Sequence, residues 1–526
     1  MTEGIQELRF GTAGLRAPIG PGPAEMNVST VTRATAGVAQ WMKESTNPNR
    51  SDGHYCVAVG FDSRYGSQAM ARAAAETFSG AGFEVWLIAE PAPTPVLAWL
   101  VRDRKLDAGV QITASHNPST DNGYKLYLKG GSQLISPIDK KIEDAISQQP
   151  VAYEVPRSQM VSLDASVPMG YVEAVTSLVA TGEQKVLAPR RTLRILYTPM
   201  HGVGGNVLED ALRGTGFGDV HFVRSQRWGD PEFPTVPFPN PEEPGATDAL
   251  LEEARKVDPD LLIALDPDAD RCMLGVRDNA GEFHMLNGDQ TGALLARRVV
   301  GTLWSPEKQE DRHAKPVVAT TIVSSQLLGT MAEHEGWDYV ETLTGFKHLA
   351  RADQNRPGSL AFAYEEAIGT APAPQLVADK DGIATALIAA AWAAELKEQG
   401  RTLLDELSDI ESEFGAFRTT QVSARFSTPI EAADMIGQFT DNPPTELAGC
   451  TVSSSPLQDS EGSSTPGVKL MGEMDAGLSI RVIARPSGTE PKAKFYLEAS
   501  GPADKAKQVD VLLETLAGEI RQLTSA

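Results

Sequence analysis

The chain has 526 residues and a formal net charge of −23, from 47 basic and 70 acidic side chains. Single hydrophobic cores stop growing near about 250–300 residues, so this length predicts several domains. The acidic balance argues against nucleic acid or an anionic membrane as partner, but it leaves room for a local basic pocket that binds a small anion.

Three cysteines, Cys56, Cys272 and Cys450, lie far apart and form no CxxC pair. This pattern favours a reducing compartment over a disulfide scaffold or a zinc–thiolate site. The N-terminal residues are acidic where a signal peptide is basic, and the apolar run 386–394 is about half the length that spans a bilayer. We therefore expect a cytoplasmic protein in which Asp381 caps that run as a buried helix.

Strands and helices alternate through the first part of the chain, which predicts a parallel sheet covered by helices. The predicted strands are 55–61, 83–88 and 108–113, and the predicted helices are 67–82 and 95–105. The third strand leads into TASHNP, which contains Ser115 and His116. Ligands of open α/β sheets bind beyond the carboxyl ends of the strands, so this loop is a candidate site.

The same alternation occurs twice more. The second part has predicted strands at 193–198, 220–223 and 261–265 and helices at 206–214 and 246–257. The third part has predicted strands at 317–323, 338–344 and 360–364, a helix at 326–336 and a short helical stretch from Phe346. The third strand of each part again ends at a polar motif, DPDADR at 266–271 and EEAIG at 365–369. We expect three similar α/β units that present three loops to one cleft.

From about Glu411 the pattern becomes that of a smaller α+β domain. The Ser/Thr/Pro/Gly-rich stretch 451–467 is predicted to be a loop. Predicted strands at 478–484 and 493–499 flank RPSGTEPK, and a terminal helix covers 505–523.

The motif RPSGTEPK has the composition of a phosphate-binding loop. It supplies Arg485, Ser487, Thr489 and Lys492 around Gly488. Arginine binds phosphate through a bidentate fork, and glycine lets backbone N–H groups approach the anion. A charged hairpin tip is the alternative interpretation.

The motif DPDADR places three carboxylates, Asp266, Asp268 and Asp270, at alternate positions. Like charges this close are unfavourable without a cation, and hard cations such as Mg²⁺ take oxygen ligands. A calcium loop needs glycine sixth and glutamate twelfth, where this chain has Arg271 and Arg277. A solvated acidic turn is the alternative.

The chemistry of TASHNP depends on how its backbone bends. Neighbouring side chains of an extended strand point apart, so His116 can accept the Ser115 proton only where the loop bends. Lys125 follows the predicted turn residues Asn122 and Gly123 and can return to the pocket as an acid or base. A turn-capping serine is the alternative interpretation.

Two further motifs carry weaker signals. Glu365 and Glu366 of EEAIG offer acceptors for hydroxyl groups, although glutamates are also common at helix starts. The glycines of HGVGGN, at 201–206, do not fit a dinucleotide loop, because the third glycine of that motif would fall at Val207.

Six motifs together, in this order over nearly the whole chain, resemble the α-D-phosphohexomutases, in the branch of the larger phosphoglucomutases and phosphopentomutases. They are FGTAGLR near the N-terminus, TASHNP with NGYK, DPDADR, TGFKH, EEAIG and RPSGTEPK. The resemblance implies three similar α/β domains with mixed, mainly parallel sheets and a smaller C-terminal α+β domain around a central cleft. The expected limits of these four domains are 1–190, 191–305, 306–410 and 411–526.

The resemblance also implies a mutase that interconverts glucose 1-phosphate and glucose 6-phosphate through a phosphoserine and a sugar 1,6-bisphosphate. Phosphomannomutase or phosphopentomutase activity is an alternative, and so is a phosphosugar-binding protein without catalysis. The expected partner is a small phosphosugar, not nucleic acid or membrane, and the expected state is a monomer or dimer.

The family pattern assigns roles to individual residues. It implies that Ser115 carries the phosphoryl group and that Mg²⁺ binds between it and Asp266, Asp268 and Asp270, with glucose 1,6-bisphosphate as the activating intermediate. Arg16 and Arg271 would lie near the phosphoserine, and His116 and Lys125 would transfer protons or position the substrate. The expected substrate ligands are Thr344, Gly345, Lys347, His348, Glu365, Glu366, Arg485, Ser487, Gly488, Thr489 and Lys492.

Two residues depart from the family pattern. Ala367 stands where many members carry serine, which removes one hydroxyl contact, and Glu25 precedes Met26 and Asn27 where relatives often carry arginine.

Overall fold

The computed structural model describes residues 8–9, 14–180, 182–305, 314–487 and 491–525. Two compact units comprise 1–287 with 367–402, and 288–366 with 403–526. Residues 10–13 of FGTAGLR, and Gly488 and Thr489 of the predicted phosphate loop, lie outside the described residues.

The first sheet of the first unit is mixed and mainly parallel. Its strands are β1 (Leu15–Pro18), β2 (Cys56–Phe61), β3 (Glu84–Ile88), β4 (Ala108–Ile112), β5 (Asp121–Leu128), β6 (Ser132–Gln133) and β7 (Ser162–Asp164). The helices of this region are α1 (Val28–Ser45), α2 (Ser67–Gly80), α3 (Thr94–Asp103), α4 (Ile138–Ser147), α5 (Val167–Thr176) and α6 (Gln184–Thr192). The strand order is β1-β5-β4-β2-β3-β7, in which β4, β2, β3 and β7 are parallel and β5 and β1 run against their neighbours. Every residue of β2 and β4 is buried, as expected for strands covered on both faces.

The second sheet of the first unit repeats this plan. Its elements are β8 (Arg194–Thr198), α7 (Gly204–Gly214), β9 (Asp219–Phe222), α8 (Asp248–Val257), β10 (Leu261–Leu265), β11 (Cys272–Arg277) and β12 (Phe283–Met285). The strand order is β12-β11-β10-β8-β9, with β10, β8 and β9 parallel and β11 and β12 antiparallel. The aspartate motif therefore joins β10 to its antiparallel neighbour β11.

The second unit starts with a third α/β region. Its elements are α9 (Gly288–Arg298), β13 (Val317–Thr321), α10 (Leu327–Glu335), β14 (Asp338–Thr342), α11 (Phe346–Leu349) and β15 (Leu360–Glu365). The central strand, β13, is parallel to both β14 and β15. The chain then adds β16 (Gly369–Ala371) and α12 (Gly382–Glu398) to the first unit.

The C-terminal region of the second unit is an antiparallel sheet with helices on one face. Its elements are α13 (Leu403–Phe414), β17 (Ala416–Arg425), α14 (Pro429–Asp441), β18 (Glu446–Leu447), β19 (Cys450–Gln458), β20 (Ser464–Met474), β21 (Leu478–Pro486), β22 (Lys492–Gly501) and α15 (Ala506–Ser525). The order is β17-β22-β21-β20-β19-β18, and side chains such as Phe495 and Leu516 form a core with α14 and α15. The four regions confirm the predicted fold class.

The loop predicted for 451–467 is wrong. Most of this stretch forms strands β19 and β20, which pair from Thr451 with Glu473 to Gln458 with Ser464. Within β19 only Cys450 and Leu457 are buried, so its serines and threonines are those of a solvated strand. The polar composition of this stretch therefore indicates solvent exposure and not an absence of regular structure.

The apolar run near residue 390 forms the buried helix α12, as predicted. The Asp381 side chain caps it by accepting a hydrogen bond from the Ala384 N–H at 2.9 Å, and it also accepts one from the Tyr171 hydroxyl at 2.6 Å. Among the described helices, none is long and apolar enough to cross a membrane. The three cysteines are buried and have free thiols.

Candidate active site

The serine loop begins at the carboxyl end of β4 and bends at once. Ser115 has φ +53°, a left-handed conformation that turns its side chain toward that of His116. The Ser115 Oγ lies 3.2 Å from His116 Nδ1 and donates a hydrogen bond to Asp266 Oδ2 at 2.9 Å. The bend that a serine–histidine contact requires is therefore present.

A buried arginine that the sequence analysis missed holds this loop in place. Arg64, just after β2, donates to the carbonyl oxygens of Ser115 and Asn117 at 2.6 Å each and to that of Pro118 at 2.6 Å. Its partner is Asp62, 3.3 Å away. Arg64 follows a buried strand, so the rule that singled out TASHNP could also have found it.

Lys125 reaches the site from β5, but the turn predicted at Asn122 and Gly123 is wrong. Both residues lie within β5, where Lys125 pairs with Gln111 of β4. Their residue types serve close contacts: the Asn122 side chain donates to Ser67 Oγ at 2.8 Å, and a Cβ at Gly123 would lie 2.5 Å from the Thr113 carbonyl oxygen. Asparagine and glycine are typical of turns, but here Asn122 serves a hydrogen bond and Gly123 a close backbone contact.

The three predicted carboxylates are gathered at the end of β10. One oxygen from each of Asp266, Asp268 and Asp270 lies within 4.8 Å of the others, and all three side chains are buried. Asp266 Oδ1 accepts a hydrogen bond from the Arg271 N–H at 3.0 Å, and Asp268 Oδ2 accepts one from Thr94 Oγ1 at 2.7 Å. A solvated acidic turn is therefore excluded.

The electrostatics of this triad fit a bound divalent cation. Within the described ranges, no residue donates a hydrogen bond to Oδ1 of Asp268 or to Oδ1 of Asp270, although both atoms are buried. Burial, and then the charges of Asp268 and Asp270, raise the pKa of Asp266 well above its ordinary value. A buried carboxylate oxygen without a donor is unfavourable unless it is paired or coordinates a metal. Hard oxygen ligands of this kind suit Mg²⁺.

Lysine and arginine side chains surround the carboxylates. The Lys125 Nζ lies 2.6 Å from Asp268 Oδ2 and 2.9 Å from Asp270 Oδ2. Burial opposes its charge, but the two carboxylates outweigh burial and raise the pKa of Lys125. Beside these two carboxylates the Lys125 ammonium is favoured, and it can donate hydrogen bonds.

A second lysine, Lys380, was missed by the sequence analysis. Its Nζ lies 3.4 Å from Asp270 Oδ2 and 3.6 Å from Asp379 Oδ1. Asp379 is itself fixed by the Tyr127 hydroxyl at 2.8 Å and by Gln133 Nε2 at 2.7 Å. The signal was the charged run Asp-Lys-Asp directly before the buried helix α12, in which only Asp381 has a role assigned from the sequence.

The environment of His116 favours a neutral imidazole. Burial, and then the charges of Arg271 and Arg16, hold the pKa of His116 well below its ordinary value. Arg16 donates to Asn117 Oδ1 at 3.0 Å, and Arg271 lies 3.9 Å from Asp270 Oδ1. The predicted residues of the serine and metal loops thus lie together: a hydroxyl, a neutral imidazole, three carboxylates and the cations beside them.

The glycine motif HGVGG, which has no role assigned from the sequence, packs against the aspartate loop. The Val203 N–H donates to the Pro267 carbonyl oxygen at 2.8 Å. A Cβ at Gly202 would lie 2.3 Å from both the Cα and the carbonyl oxygen of Pro267, and a Cβ at Gly204 would lie 2.7 Å from the Cβ of Ala269. These glycines allow the aspartate loop to approach the start of α7.

We expect Gly202→Ala to displace the aspartate loop, because its Cβ would overlap the backbone of Pro267. Such overpacking typically costs about 1–3 kcal/mol. The variant should unfold at lower temperature and need more Mg²⁺ for half-maximal activity. Gly214→Ala is the matched control, since its Cβ would meet nothing closer than a side-chain methyl at 3.7 Å. Equal behaviour of the two variants would contradict this role.

The predicted sugar-binding residues from Thr344 to His348, with Glu365 and Glu366, lie in the second unit at the ends of β14 and β15. Thr344 and Gly345 precede α11, and Gly345 has φ +112°, which favours glycine. Lys347 and Glu365 are buried, and burial followed by the Lys347 charge lowers the pKa of His348. Glu366 is held by two hydroxyls, because its carboxylate accepts hydrogen bonds from Thr321 and Ser324.

The predicted phosphate loop is the tip of the hairpin formed by β21 and β22. The Ser487 N–H donates to the Lys492 carbonyl oxygen at 2.8 Å. In the antiparallel ladder, Arg485 lies opposite Lys494. Paired residues of an antiparallel ladder share a face, as do residues two apart along a strand. Arg485, Lys492 and Lys494 therefore lie on one face, and Lys494 joins the predicted set.

The departure at Glu25 has a local structural use. Its Oε2 accepts the Gly22 N–H at 2.6 Å, closing the turn that precedes α1, and Asn27 caps that helix through Thr30.

The strand ends of two α/β domains bring together a serine, three carboxylates and several cations. This arrangement is typical of α/β phosphotransferases. Four sequence profiles of the phosphoglucomutase/phosphomannomutase family match this chain: alpha/beta/alpha domain I over 7–151, domain II over 169–281, domain III over 287–413 and the C-terminal domain over 475–515. The chain belongs to the phosphoglucomutase/phosphomannomutase family of the α-D-phosphohexomutases, whose members are mutases, a class of isomerases.

Relatives with different substrates in their names are similar to this chain. A probable phosphomannomutase of Haemophilus influenzae is 37% identical and covers 91% of this chain and 94% of its own length. A phosphoglucomutase of Staphylococcus epidermidis is 33% identical, covering 94% and 91%. The human phosphopentomutase is 32% identical, covering 99% and 88%.

Proposed function

We propose that the protein is a Mg²⁺-dependent mutase that interconverts glucose 1-phosphate and glucose 6-phosphate through a phosphorylated Ser115. The observation that carries the proposal is the 2.9 Å hydrogen bond from the Ser115 hydroxyl to Asp266 within a buried aspartate triad. A nucleophilic hydroxyl beside oxygen ligands for a hard cation is the arrangement that phosphoryl transfer requires.

In the proposed reaction, phosphoserine 115 donates its phosphoryl group to the free hydroxyl of the sugar monophosphate. The P–O bond to Ser115 breaks, a P–O bond to the sugar oxygen forms, and the sugar hydroxyl gives up its proton. The resulting glucose 1,6-bisphosphate turns over within the site, and its other phosphoryl group returns to Ser115. Exclusion of water from the site limits hydrolysis of the phosphoserine.

Each group near Ser115 has a proposed role in these steps. Asp266, Asp268 and Asp270 would hold Mg²⁺ with the Ser115 oxygen, and the bound cation would neutralise charge on the transferring group. Neutral His116 is the candidate proton acceptor, and Lys125, Arg16 and Arg271 stabilise negative charge on the phosphoryl oxygens.

The sugar would be recognised through the hydroxyls that occupy similar places in both of its binding orientations. For a hexopyranose these are O3 and O4, which exchange when C1 and C6 exchange. Glu365, with the segment 344–348 of the same unit, is the proposed ligand set for them. Glucose and mannose share both configurations, whereas galactose differs at C4. A site that hydrogen-bonds a substrate hydroxyl can lower kcat/KM for an analogue lacking it by about 10⁴–10⁵. We expect a misplaced hydroxyl, as in galactose, to lower kcat/KM by part of this factor.

The proposal is tested by kcat/KM for glucose, mannose, galactose and ribose 1-phosphates, each with saturating Mg²⁺ and its matching bisphosphate. We expect glucose 1-phosphate to be best, mannose 1-phosphate slower and galactose 1-phosphate nearly inert. Galactose 1-phosphate equal to glucose 1-phosphate would refute the O3/O4 argument. Because Ala367 lacks the hydroxyl many relatives offer, phosphopentomutase is the second candidate, and ribose 1-phosphate exceeding both hexoses would establish it.

Arg485, Ser487 and Lys492 are the proposed ligands of the phosphate that does not react. Arg485→Ala should raise KM by one to two powers of ten, since a charge-assisted hydrogen bond contributes about 1.5–3 kcal/mol. Steady-state kinetics in both directions should show similar losses. Arg418→Ala, which removes an arginine paired with Glu411 and Asp510, is the control and should leave KM unchanged. A defect in one direction alone would contradict the role.

A further inference from the structure

Within the predicted sugar-binding motif EEAIG (365–369, called the sugar loop below), the side chain of Glu366 is already held by protein hydroxyls. Its Oε2 accepts hydrogen bonds from Thr321 Oγ1 at 3.1 Å and from Ser324 Oγ at 3.3 Å. Its backbone N–H donates to the same Ser324 oxygen at 3.1 Å. Backbone and side chain of Glu366 are thus both tied to residues at and just after the end of β13.

The C-terminal sheet holds the segment to which Glu366 is hydrogen-bonded through Ser324. This segment, 322–326, we call the β13 extension. Arg481 of β21 donates to the Ser324 carbonyl oxygen at 2.9 Å and also to that of Ile322. Glu498 of β22 accepts the Gln326 N–H at 3.0 Å. Two charged side chains of one sheet therefore fix the backbone of the β13 extension.

Further contacts keep the β13 extension from shifting. The buried carboxylate of Asp289 accepts the Ser325 N–H at 2.8 Å and the hydroxyl of Thr419 from β17 at 2.8 Å. Ile322 and Val323 pack in an apolar cluster with Ile483 and Tyr496 of the C-terminal sheet.

The same sheet face carries the predicted phosphate ligands. In the ladder of β21 and β22, Arg481 lies opposite Glu498, Ile483 opposite Tyr496 and Arg485 opposite Lys494. These positions are two apart along each strand, so all six side chains lie on one face of the sheet. The face therefore runs from the residues that hold the β13 extension to those at the hairpin tip. Burial, and then the charge of Asp289, raise the pKa of Glu366, and the Lys494 charge opposes this rise.

We propose that Glu366 is a positioning residue: through Ser324 and Thr321 it fixes the sugar loop, and with it Glu365, to a segment held by the C-terminal sheet. Sugar recognition and phosphate recognition then share one rigid support. This inference rests on the proposed function for the role of Glu365. It assigns Glu366 a positioning role in place of the direct sugar contact expected from the sequence.

The test compares Ser324→Ala, Glu366→Ala and Glu366→Gln with wild type. Gln keeps an oxygen that accepts the two hydroxyl hydrogen bonds, whereas Ala removes the attachment. Ser479→Ala is the matched control, because it also removes one hydroxyl hydrogen bond in this unit, to Ser500, without contacting the sugar loop. Thermal unfolding of every variant shows that the fold is kept.

The first readout is hydrogen–deuterium exchange of the peptide containing 364–370, which needs no activity. We expect Ser324→Ala and Glu366→Ala to exchange roughly tenfold faster, the loss of about one buried hydrogen bond, with Glu366→Gln and Ser479→Ala near wild type. Wild-type exchange in both Ser324→Ala and Glu366→Ala would overturn the proposal even if every sugar phosphate were inert. Failure of the proposed function would instead appear as absent turnover in wild type.

The second readout is the ratio of kcat/KM for glucose 1-phosphate to that for galactose 1-phosphate. The two variants that loosen the loop should raise KM and lower this ratio roughly tenfold, and Ser324→Thr, which keeps the hydroxyl, should restore it. If Glu366→Gln lost as much as Glu366→Ala while Ser324→Ala matched wild type, Glu366 would bind the sugar directly and the proposal would be wrong.

Discussion

Ser115→Ala is expected to abolish mutase turnover while leaving the fold intact. The variant lacks the only group to which we assign the phosphoryl group, and Ala is no more strained than Ser at φ +53°. The Ser115 hydroxyl contacts His116 and Asp266, whereas the loop backbone is held independently by Arg64. Loss of the hydroxyl therefore removes chemistry without removing the support of the loop.

The measurement combines turnover with intact mass. Wild-type protein incubated with glucose 1,6-bisphosphate should gain one phosphoryl group, located on Ser115 by peptide mapping, and Ser115→Ala should gain none. Ser119→Ala, four residues along in the same loop, is the control and should turn over normally. Phosphate found repeatedly on Ser119 or Thr120, with Ser115→Ala fully active, would sink the assignment.

Much of the fold and of the candidate metal site was predictable because each polar motif follows a buried strand. Parallel strands deliver their carboxyl ends to one edge of a sheet, so TASHNP, DPDADR and EEAIG were located by a rule that needs only the strand pattern. The rule places a loop at a sheet edge. It does not say which loops of different sheets meet, and the contact between Ser115 and Asp266 joins residues 151 positions apart.

The residues that were missed act on others over long separations. Thr94 contacts Asp268 across 174 positions and Arg64 contacts Ser115 across 51, and no local pattern links such pairs. Gly202 carries no side chain at all, and its role exists only because Pro267 approaches its backbone. Glu365 and Glu366 are adjacent glutamates with the same chemistry, and only the position of Ser324 distinguishes them.

Asp268→Asn is expected to lower turnover and Mg²⁺ affinity together. The substitution keeps an oxygen that can accept the Thr94 hydrogen bond, but it removes the negative charge that faces Lys125 and the proposed cation. Loss of an outer partner of a metal ligand typically costs about 10–100-fold in affinity or activity, and loss of a charged ligand itself should cost more.

Calorimetric titration of Mg²⁺ into chelator-treated protein measures the affinity without turnover, and it should show one site that Asp268→Asn weakens strongly. Asp248→Asn, in the exposed first turn of α8, changes the net charge equally and should leave the titration unchanged. Chelation should silence the wild type, and added Mg²⁺ should restore it. Full activity after exhaustive chelation, with no metal left in the preparation, would contradict the metal-binding role of the buried triad. Lys125 and Lys380 would then balance the charges of the triad without a cation.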